Sequence, residues 1–155
     1  MLPALPIMQR LDEETSPETH AIIGALFEVH KRLRNGFLET VYQESLAIEL
    51  RHRGIPFERE CRIPITYRDE VLQTVYRADF ICHGNVLIEL KAISNIGRNE
   101  ESQIIHYLRA TGLTIGILAN FGSRELEFRR FVQGHPESVS AGSAVWSVGG
   151  RPVFR

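Results

Sequence analysis

Lysine is scarce in this sequence. Of the 18 basic residues among 155, only Lys31 and Lys91 are lysines, and the other 16 are arginines. With 19 acidic residues the formal net charge is −1, so the chain lacks the bulk positive field that holds nucleic acid nonspecifically. Overall neutrality still permits a small local site in which clustered carboxylates take up a cation.

Cysteine is equally scarce, and long apolar runs are absent. Cys61 and Cys82 are too few for a disulfide framework or a four-ligand zinc site, so we expect a reducing cytoplasm. No stretch approaches the roughly 18 consecutive apolar residues of a membrane span. The first residues also lack the pattern of a secretory signal. These absences predict a cytoplasmic protein without membrane association.

The composition predicts one compact domain. Hydrophobic residues make up 43% and charged residues 24% of the chain, which is typical of soluble globular proteins. Residues 1–14 hold two prolines and an acidic cluster, and we expect a flexible arm there. Residues 134–155 are rich in Gly, Ser and Pro and predict a tail. The domain should span residues 15–133.

The periodicity predicts an α/β domain in the order ααβββαββ, with a mixed sheet flanked by helices. The predicted elements are helices from residue 17 to Asn35-Gly36, over 38–52 and over 99–111 with Asn99 as N-cap, strands over 57–67, 71–82, 86–92 and 114–119, and a last strand or helix over 125–132. Pro64 suggests an edge or bulge in its strand. The helix over 99–111 should make a right-handed crossover between the strands over 86–92 and 114–119, so these two strands should be parallel.

The segment YRADFICHGNVLIELKA resembles a hairpin. If residues 83–85 form its loop, Asp79 lies directly opposite Glu89, and Arg77 opposite Lys91. Directly opposed residues have Cβ atoms about 4.5–5.5 Å apart. Strict alternation would put Tyr76, Ala78, Phe80 and Cys82 on one apolar face and the charged residues on the other.

Two opposed carboxylates destabilise a sheet, so this arrangement suggests a function. A divalent cation such as Mg²⁺ takes oxygen ligands and is usually held by one or two carboxylates plus a substrate phosphate. Such a site supports hydrolysis, in which a nearby Lys orients or deprotonates water. Because only two of the 18 basic residues are lysines, we expect Lys91 to serve this chemistry rather than to be an interchangeable surface cation. The alternative is that Glu89 and Lys91 form a solvated face of an edge strand.

Three motifs resemble those of known nucleases. Asp79 followed by Glu89-Leu90-Lys91 matches the D…(D/E)XK pattern of the PD-(D/E)XK nuclease superfamily, with Ala78 where a Pro is usual. The helix after it carries a QxxxY motif, and GFLETVY near residue 36 matches the signature of the GxxExxY family within this superfamily. The resemblance covers about residues 20–133 and implies a restriction-endonuclease-like core.

The resemblance implies a role for each motif residue. Asp79, Glu89 and the carbonyl of Leu90 would bind Mg²⁺ or Mn²⁺, Glu39 on the second helix would complete the metal shell, and Lys91 would be the catalytic lysine. The residues that would position phosphate are Gln103, Tyr107 and Arg77. The substrate would be DNA more readily than RNA, and the state of assembly, including a homodimer, is left open.

Simpler explanations exist for several of these residues. Glu39 could serve only the helix dipole, and Arg77 could only balance charge. Tyr42 is expected in the core, with its hydroxyl on a site carboxylate, and His30 is explained by its helix end. At the level of the whole chain, the alternatives are a non-catalytic member of the fold that binds nucleic acid or protein, and a regulatory module that acts through the tail with Trp146.

Overall fold

The computed structural model describes residues 16–134 and two short strands near the C-terminus. The predicted arm over 1–14 lies outside the described residues. Of the predicted tail, the two short strands, Val145–Trp146 and Pro152–Val153, are described, and they pair antiparallel. The domain bounds therefore stay predictions. In the described part of the chain no helix is long and apolar enough to cross a membrane.

The helices follow the predicted pattern with one correction. They are α1 (Pro17–Leu33), α2 (Glu39–His52) and α3 (Arg98–Thr111). Ser16 caps α1, since its hydroxyl accepts the backbone N–H of Thr19 at 3.2 Å. The prediction that Asn99 caps α3 is wrong. The cap is Gly97, whose backbone N–H donates to the Glu100 carboxylate at 2.8 Å, because the acidic side chain reaches back over the first turn.

Five strands form one mixed sheet, which confirms the predicted α/β class and element order. They are β1 (Phe57–Tyr67), β2 (Glu70–Cys82), β3 (Val86–Lys91), β4 (Ile115–Asn120) and β5 (Glu127–Val132). They lie in sequence order, with β3 and β4 parallel and the other neighbours antiparallel. Strand β1 is an edge strand whose pairing shifts between Pro64 and Thr66, as the proline suggests.

Helices cover both faces of the sheet. One apolar cluster joins α1 and α2 to β2, β3 and β4, and a second joins α3 to the opposite face. Strand β3 is therefore buried from Val86 through Leu90. Buried strands of this kind are expected to be continuously apolar, and Glu89 is the exception within β3.

The pairing of β2 is interrupted at Asp79. In the β1–β2 ladder Arg59 pairs with Phe80 and Cys61 with Ala78, while Glu60 and Asp79 between them do not pair. Glu60 has a left-handed φ of 49°, which turns its backbone away from the ladder. On the other side, the β2–β3 ladder ends at Phe80. Asp79 therefore has no partner residue in the backbone ladder on either side of its strand.

This interruption changes the face on which the residues before Asp79 lie. Phe80 packs in the cluster of α1 and α2, but Ala78 packs in the cluster of α3. The ring of Tyr76 contacts Tyr107 of α3. The predicted common face for Tyr76, Ala78 and Phe80 is therefore wrong, because regular alternation does not continue through the irregular backbone at Asp79.

A buried amide fixes the chain just after β3. Asn120 is fully buried at the end of β4, beside Lys91 in the parallel ladder. Its Oδ1 accepts the backbone N–H groups of Ile93 and Gly122, both at 3.0 Å, and its Nδ2 donates to the carbonyl of Ile93 at 2.9 Å. The loop after Lys91 is thereby held against the end of β4.

Gly122 is required by this packing, because a Cβ at position 122 would overlap the backbone of Ile93. We expect Gly122→Ala to lower the free energy of unfolding by about 1–3 kcal/mol, as overpacking does elsewhere. Urea denaturation measures the change. Gly134→Ala is the control, since a Cβ there meets no atom within 4 Å. Equal stability of the two variants would contradict the proposed close packing.

Candidate active site

Two carboxylates meet at the interruption in β2. The backbone N–H of Asp79 donates to Oε1 of Glu89 at 3.0 Å, and the backbone N–H of Leu90 donates to Oδ2 of Asp79 at 2.7 Å. In both bonds a backbone N–H of one strand donates to a carboxylate oxygen from the neighbouring strand. The β2–β3 ladder pairs Cys82 with Val86, as the predicted loop requires. The predicted juxtaposition of Asp79 and Glu89 is therefore present.

Both carboxylates resist ionisation in the folded chain. Glu89 is only 4% exposed. Burial raises its pKa well above the usual range, the charge of Asp79 raises it further, and the N–H of Asp79 and the charge of Lys91 partly oppose this. Burial also raises the pKa of Asp79, against the hydrogen bonds from Leu90 and Gln43. Such a pair favours the uptake of positive charge, either protons or a cation.

Lys91 supplies positive charge at this pair. It is half-buried at the end of β3. Its ammonium lowers the pKa of Asp79, of Glu89 and of Glu39, so it acts on all three carboxyl groups. Lys91 thus lies near the acidic pair, at the C-terminal end of β3.

Glu39 approaches the pair from α2. It is the first residue of that helix and is exposed. Although the residue as a whole is exposed, the protein around its carboxyl group removes part of the surrounding water, which raises its pKa; the charge of Asp79 also raises this pKa, and Lys91 lowers it. Among the described residues, no three side chains of Asp, Glu, His or Cys form a group that could hold a metal ion. Asp79, Glu89 and Glu39 are therefore neighbours that do not form such a three-residue group.

Gln43 is a site residue that the sequence reasoning missed. Its Nε2 donates to Oδ1 of Asp79 at 2.8 Å, and its Oε1 accepts from Arg59 of β1 at 2.9 Å. It is buried on α2, one turn after Glu39. The sequence signal is the spacing of four residues, which places the polar side chains of Glu39 and Gln43 on one helix face. Arg59 and Gln43 together fix the rotamer of Asp79.

The predicted QxxxY pair lies on α3 beside the carboxylates. Nε2 of Gln103 donates to the hydroxyl of Tyr107 at 2.9 Å. Burial raises the pKa of Tyr107, Gln103 lowers it, and the charges of Glu89 and Asp79 raise it again. Because the Tyr107 oxygen accepts from Gln103, its own proton is available for another acceptor.

Arg77 does not join this site. It is exposed and pairs with Arg62 of β1, whereas Lys91 pairs with Asn120 of β4. The predicted pairing of Arg77 with Lys91 is therefore wrong, because the β2–β3 ladder ends before it reaches them. Arg77 lies on the stretch of β2 beyond the interruption.

Tyr42 and His30 have structural roles. The hydroxyl of Tyr42 donates to the carbonyl of Arg34 at 2.6 Å and accepts the N–H of Phe37 at 3.2 Å. Tyr42 is fully buried, so its predicted core position is confirmed, but the predicted contact of its hydroxyl with a site carboxylate is wrong. His30 is buried and contacts the carbonyl of Ser123 at 3.2 Å through Nε2.

The fold and the site together define an α/β protein of the nuclease type, with an acidic pair and a lysine on adjacent strands. The family model of the PD-(D/E)XK nuclease superfamily matches residues 16–131, and the chain belongs to this superfamily. Its mixed five-stranded sheet with flanking helices is the restriction-endonuclease-like fold.

A solved structure matches part of the chain. The structure is titled "Crystal structure of SSO0001", with 19% sequence identity and a TM-score of 0.49, over 61% of this chain and 49% of that one. This chain thus spans about half the length of that protein. Among curated proteins, none matches the sequence.

The raised pKa of Glu89 predicts a pH-dependent stability. Between the ordinary pKa of Glu, 4.5, and the raised value, the folded chain keeps a proton that the unfolded chain has lost. The unfolding free energy of the metal-free protein should therefore fall as pH rises through this window. In chelator at pH 7, we expect Glu89→Gln to be more stable than wild type by about 1–3 kcal/mol, with no difference below about pH 4.

Thermal or urea unfolding at several pH values measures this difference. Glu44→Gln is the control, because Glu44 is an exposed residue of the same charge on α2. It should leave the pH profile unchanged. A Glu89→Gln variant less stable than wild type at pH 7 would show that the buried carboxylate is not destabilising.

Proposed function

We propose that the protein is a metal-dependent nuclease that hydrolyses phosphodiester bonds of DNA or RNA, with DNA the favoured substrate. The supporting observation is the buried pair of Asp79 and Glu89 beside Lys91, in a chain that belongs to a nuclease superfamily. A buried acidic pair disfavours folding, so its presence is best explained by a cation that it binds.

The donor atoms suit Mg²⁺ or Mn²⁺. Each carboxylate oxygen of Asp79 accepts one hydrogen bond, and a second lone pair on each stays available to a metal. Glu89 and the carbonyl of Leu90 supply further oxygen ligands, and oxygen is what these ions prefer. Since Mg²⁺ keeps several waters, Glu39 would complete the shell from the outer side through one of them.

When bound, the metal supplies Lewis acidity and lowers the pKa of a coordinated water. The ammonium of Lys91 orients the attacking water and offsets the negative charge that develops on the phosphoryl oxygens. The hydroxyl of Tyr107, held by Gln103, donates to a phosphate oxygen. The guanidinium of Arg77 is exposed on the part of β2 beyond the interruption at Asp79. It would therefore contact a different phosphate of the nucleic-acid strand from the one at the acidic pair.

Asp79 requires a fixed orientation for this chemistry. The hydrogen bond from Gln43 and the one from Leu90 constrain its two oxygens separately. Arg59 in turn holds the amide of Gln43. We assign Gln43 as a positioning residue, comparable to the partners that orient metal ligands in other sites.

The finer assignment, to the GxxExxY family, rests on Gly36, Glu39 and Tyr42. Gly36 has a left-handed φ of 118°, which glycine adopts without strain. The bonds from Tyr42 fix the loop that precedes Glu39. The motif thus positions the acid of α2.

We also propose that residues 15–133 form the nuclease unit and that it works in a reducing cytoplasm, where the free thiols of Cys61 and Cys82 are stable.

Cleavage assays test the catalytic assignment. Incubated with labelled DNA and RNA in Mg²⁺ or Mn²⁺, the wild-type chain should cut. Lys91→Ala should cut about 10²–10⁴ times more slowly, because general acid–base and charge effects of this size are lost, and Asp79→Ala should be inactive. Lys31→Ala is the matched control, since Lys31 is an exposed lysine on α1. Full activity of both site variants would refute the assignment.

Metal binding separates the nuclease from a non-catalytic member of the fold. Calorimetric titration with Mn²⁺ should show binding by the wild-type chain, loss of binding in Asp79→Ala, and binding retained in Lys91→Ala. The lysine variant would then be metal-loaded but slow. If wild type binds no Mn²⁺ at millimolar concentration, the non-catalytic alternative is favoured.

A further inference from the structure

We propose that the groove between the middle of β2 and the first turns of α3 is a binding subsite for one unpaired nucleobase of the substrate strand, with Tyr76 as the stacking surface. This inference rests on the proposed nuclease function and specifies its substrate class. The substrate would be a strand with an unpaired base beside the bond to be cut.

The groove lies on the α3 face of the sheet and has a volume of about 320 Å³. This space exceeds what one nucleobase fills. Six residues line it, namely Tyr76, Asn99, Ser102, Gln103, His106 and Tyr107. Two of them, Gln103 and Tyr107, already belong to the proposed site, so the groove is continuous with it.

Tyr76 provides an aromatic surface that is packed on one side and accessible on the other. Its ring centroid lies 5.1 Å from that of Tyr107, with the planes inclined by 35°. Tyr107 is buried, while Tyr76 keeps 37% of its surface exposed. A ring supported in this way has little freedom to lose when a base stacks on it, and stacking on aromatic side chains is how single strands are bound.

The polar groups of the groove suit a base better than a phosphate. None of the lining side chains is Arg, Lys, Asp or Glu. The amide of Asn99, the hydroxyl of Ser102 and the imidazole of His106 offer both donors and acceptors. Groups of this kind form hydrogen bonds to base edges, and no cationic side chain lines the groove to attract a phosphate there instead.

The groove also lies next to the residues that would bind the phosphate to be cut. Tyr107 forms part of its wall, and Tyr76 lies on β2 three residues before Asp79. A base on Tyr76 would therefore belong to a nucleotide next to the phosphate that the carboxylates address. A base inside a duplex is stacked and paired and must leave the helix to reach such a surface. The groove thus favours single strands, flaps and mismatched positions.

Binding to a single-stranded DNA oligonucleotide that carries 2-aminopurine tests the subsite. The fluorescence of this base is quenched on stacking, and Ca²⁺ supplies a cation with the same preference for oxygen ligands. A gel verifies that the oligonucleotide stays intact. We expect wild type to bind the single strand more tightly than a blunt duplex of equal length. Tyr76→Leu should weaken single-strand binding about tenfold and leave duplex binding unchanged.

Two variants keep this test independent of folding. Tyr76→Trp retains an aromatic surface and should restore binding and quenching. Tyr67→Leu removes a tyrosine that is 64% exposed on β1 and should have no effect. Unfolding temperatures of all variants are compared with wild type. Equal single-strand affinity of Tyr76→Leu and wild type, or equal losses in the two leucine variants, would overturn the proposal.

The outcome also separates the subsite from the catalytic assignment. If wild type shows Tyr76-dependent quenching but cuts no substrate in Mg²⁺ or Mn²⁺, the subsite stands and the nuclease assignment fails. If wild type cuts DNA with Lys91 dependence but Tyr76→Leu cuts single strands and duplexes in the wild-type ratio, the nuclease assignment stands and the subsite fails.

Discussion

The irregular backbone at Asp79 positions the acidic pair of Asp79 and Glu89. Glu60 adopts a left-handed conformation and does not pair with Asp79, although the β1–β2 ladder resumes at Cys61 and Ala78. On the other side, the β2–β3 ladder ends at Phe80. The N–H of Asp79 then turns to the Glu89 carboxylate, and the Asp79 carboxylate turns to the N–H of Leu90. A regular sheet would have used these N–H groups between backbones and kept the two acids apart in their hydrogen bonding.

The acidic pair is costly in the interior, and its neighbours offset this cost only in part. Burial dominates the pKa of both Asp79 and Glu89 and moves both upward, despite the hydrogen bonds and the ammonium of Lys91. A fully compensated ion cluster would instead have lowered pKa values. The described part of the chain therefore places less positive charge around Asp79 and Glu89 than the two ionised carboxylates would need. It gives a physical reason for a cation to bind here rather than at the exposed ion pairs of α1 and α2, which are already matched.

The sequence could predict those parts of the site that depend on local rules. A three-residue loop fixes the register of β2 against β3, so the approach of Asp79 to Glu89 follows from spacing alone. The element order follows likewise from periodicity. The contact of Gln43 with Asp79 and the packing of Tyr76 on Tyr107 could not be predicted in this way. Both depend on how a helix and a distant strand meet at an irregular backbone, and no alternation rule includes the conformation of Glu60 on the neighbouring strand.

Tyr42 illustrates why a motif residue need not touch the chemistry. Its hydroxyl binds the chain on both sides of Gly36, at the carbonyl of Arg34 and the N–H of Phe37, and its ring stacks on Phe121 at 4.6 Å. These contacts determine where α2 begins, and Glu39 is its first residue. Glu39 is exposed, and the charge of Asp79 helps to raise the pKa of its carboxyl group. The contacts of Tyr42 thus act on the site indirectly, because they fix the start of the helix that carries the proposed outer metal ligand.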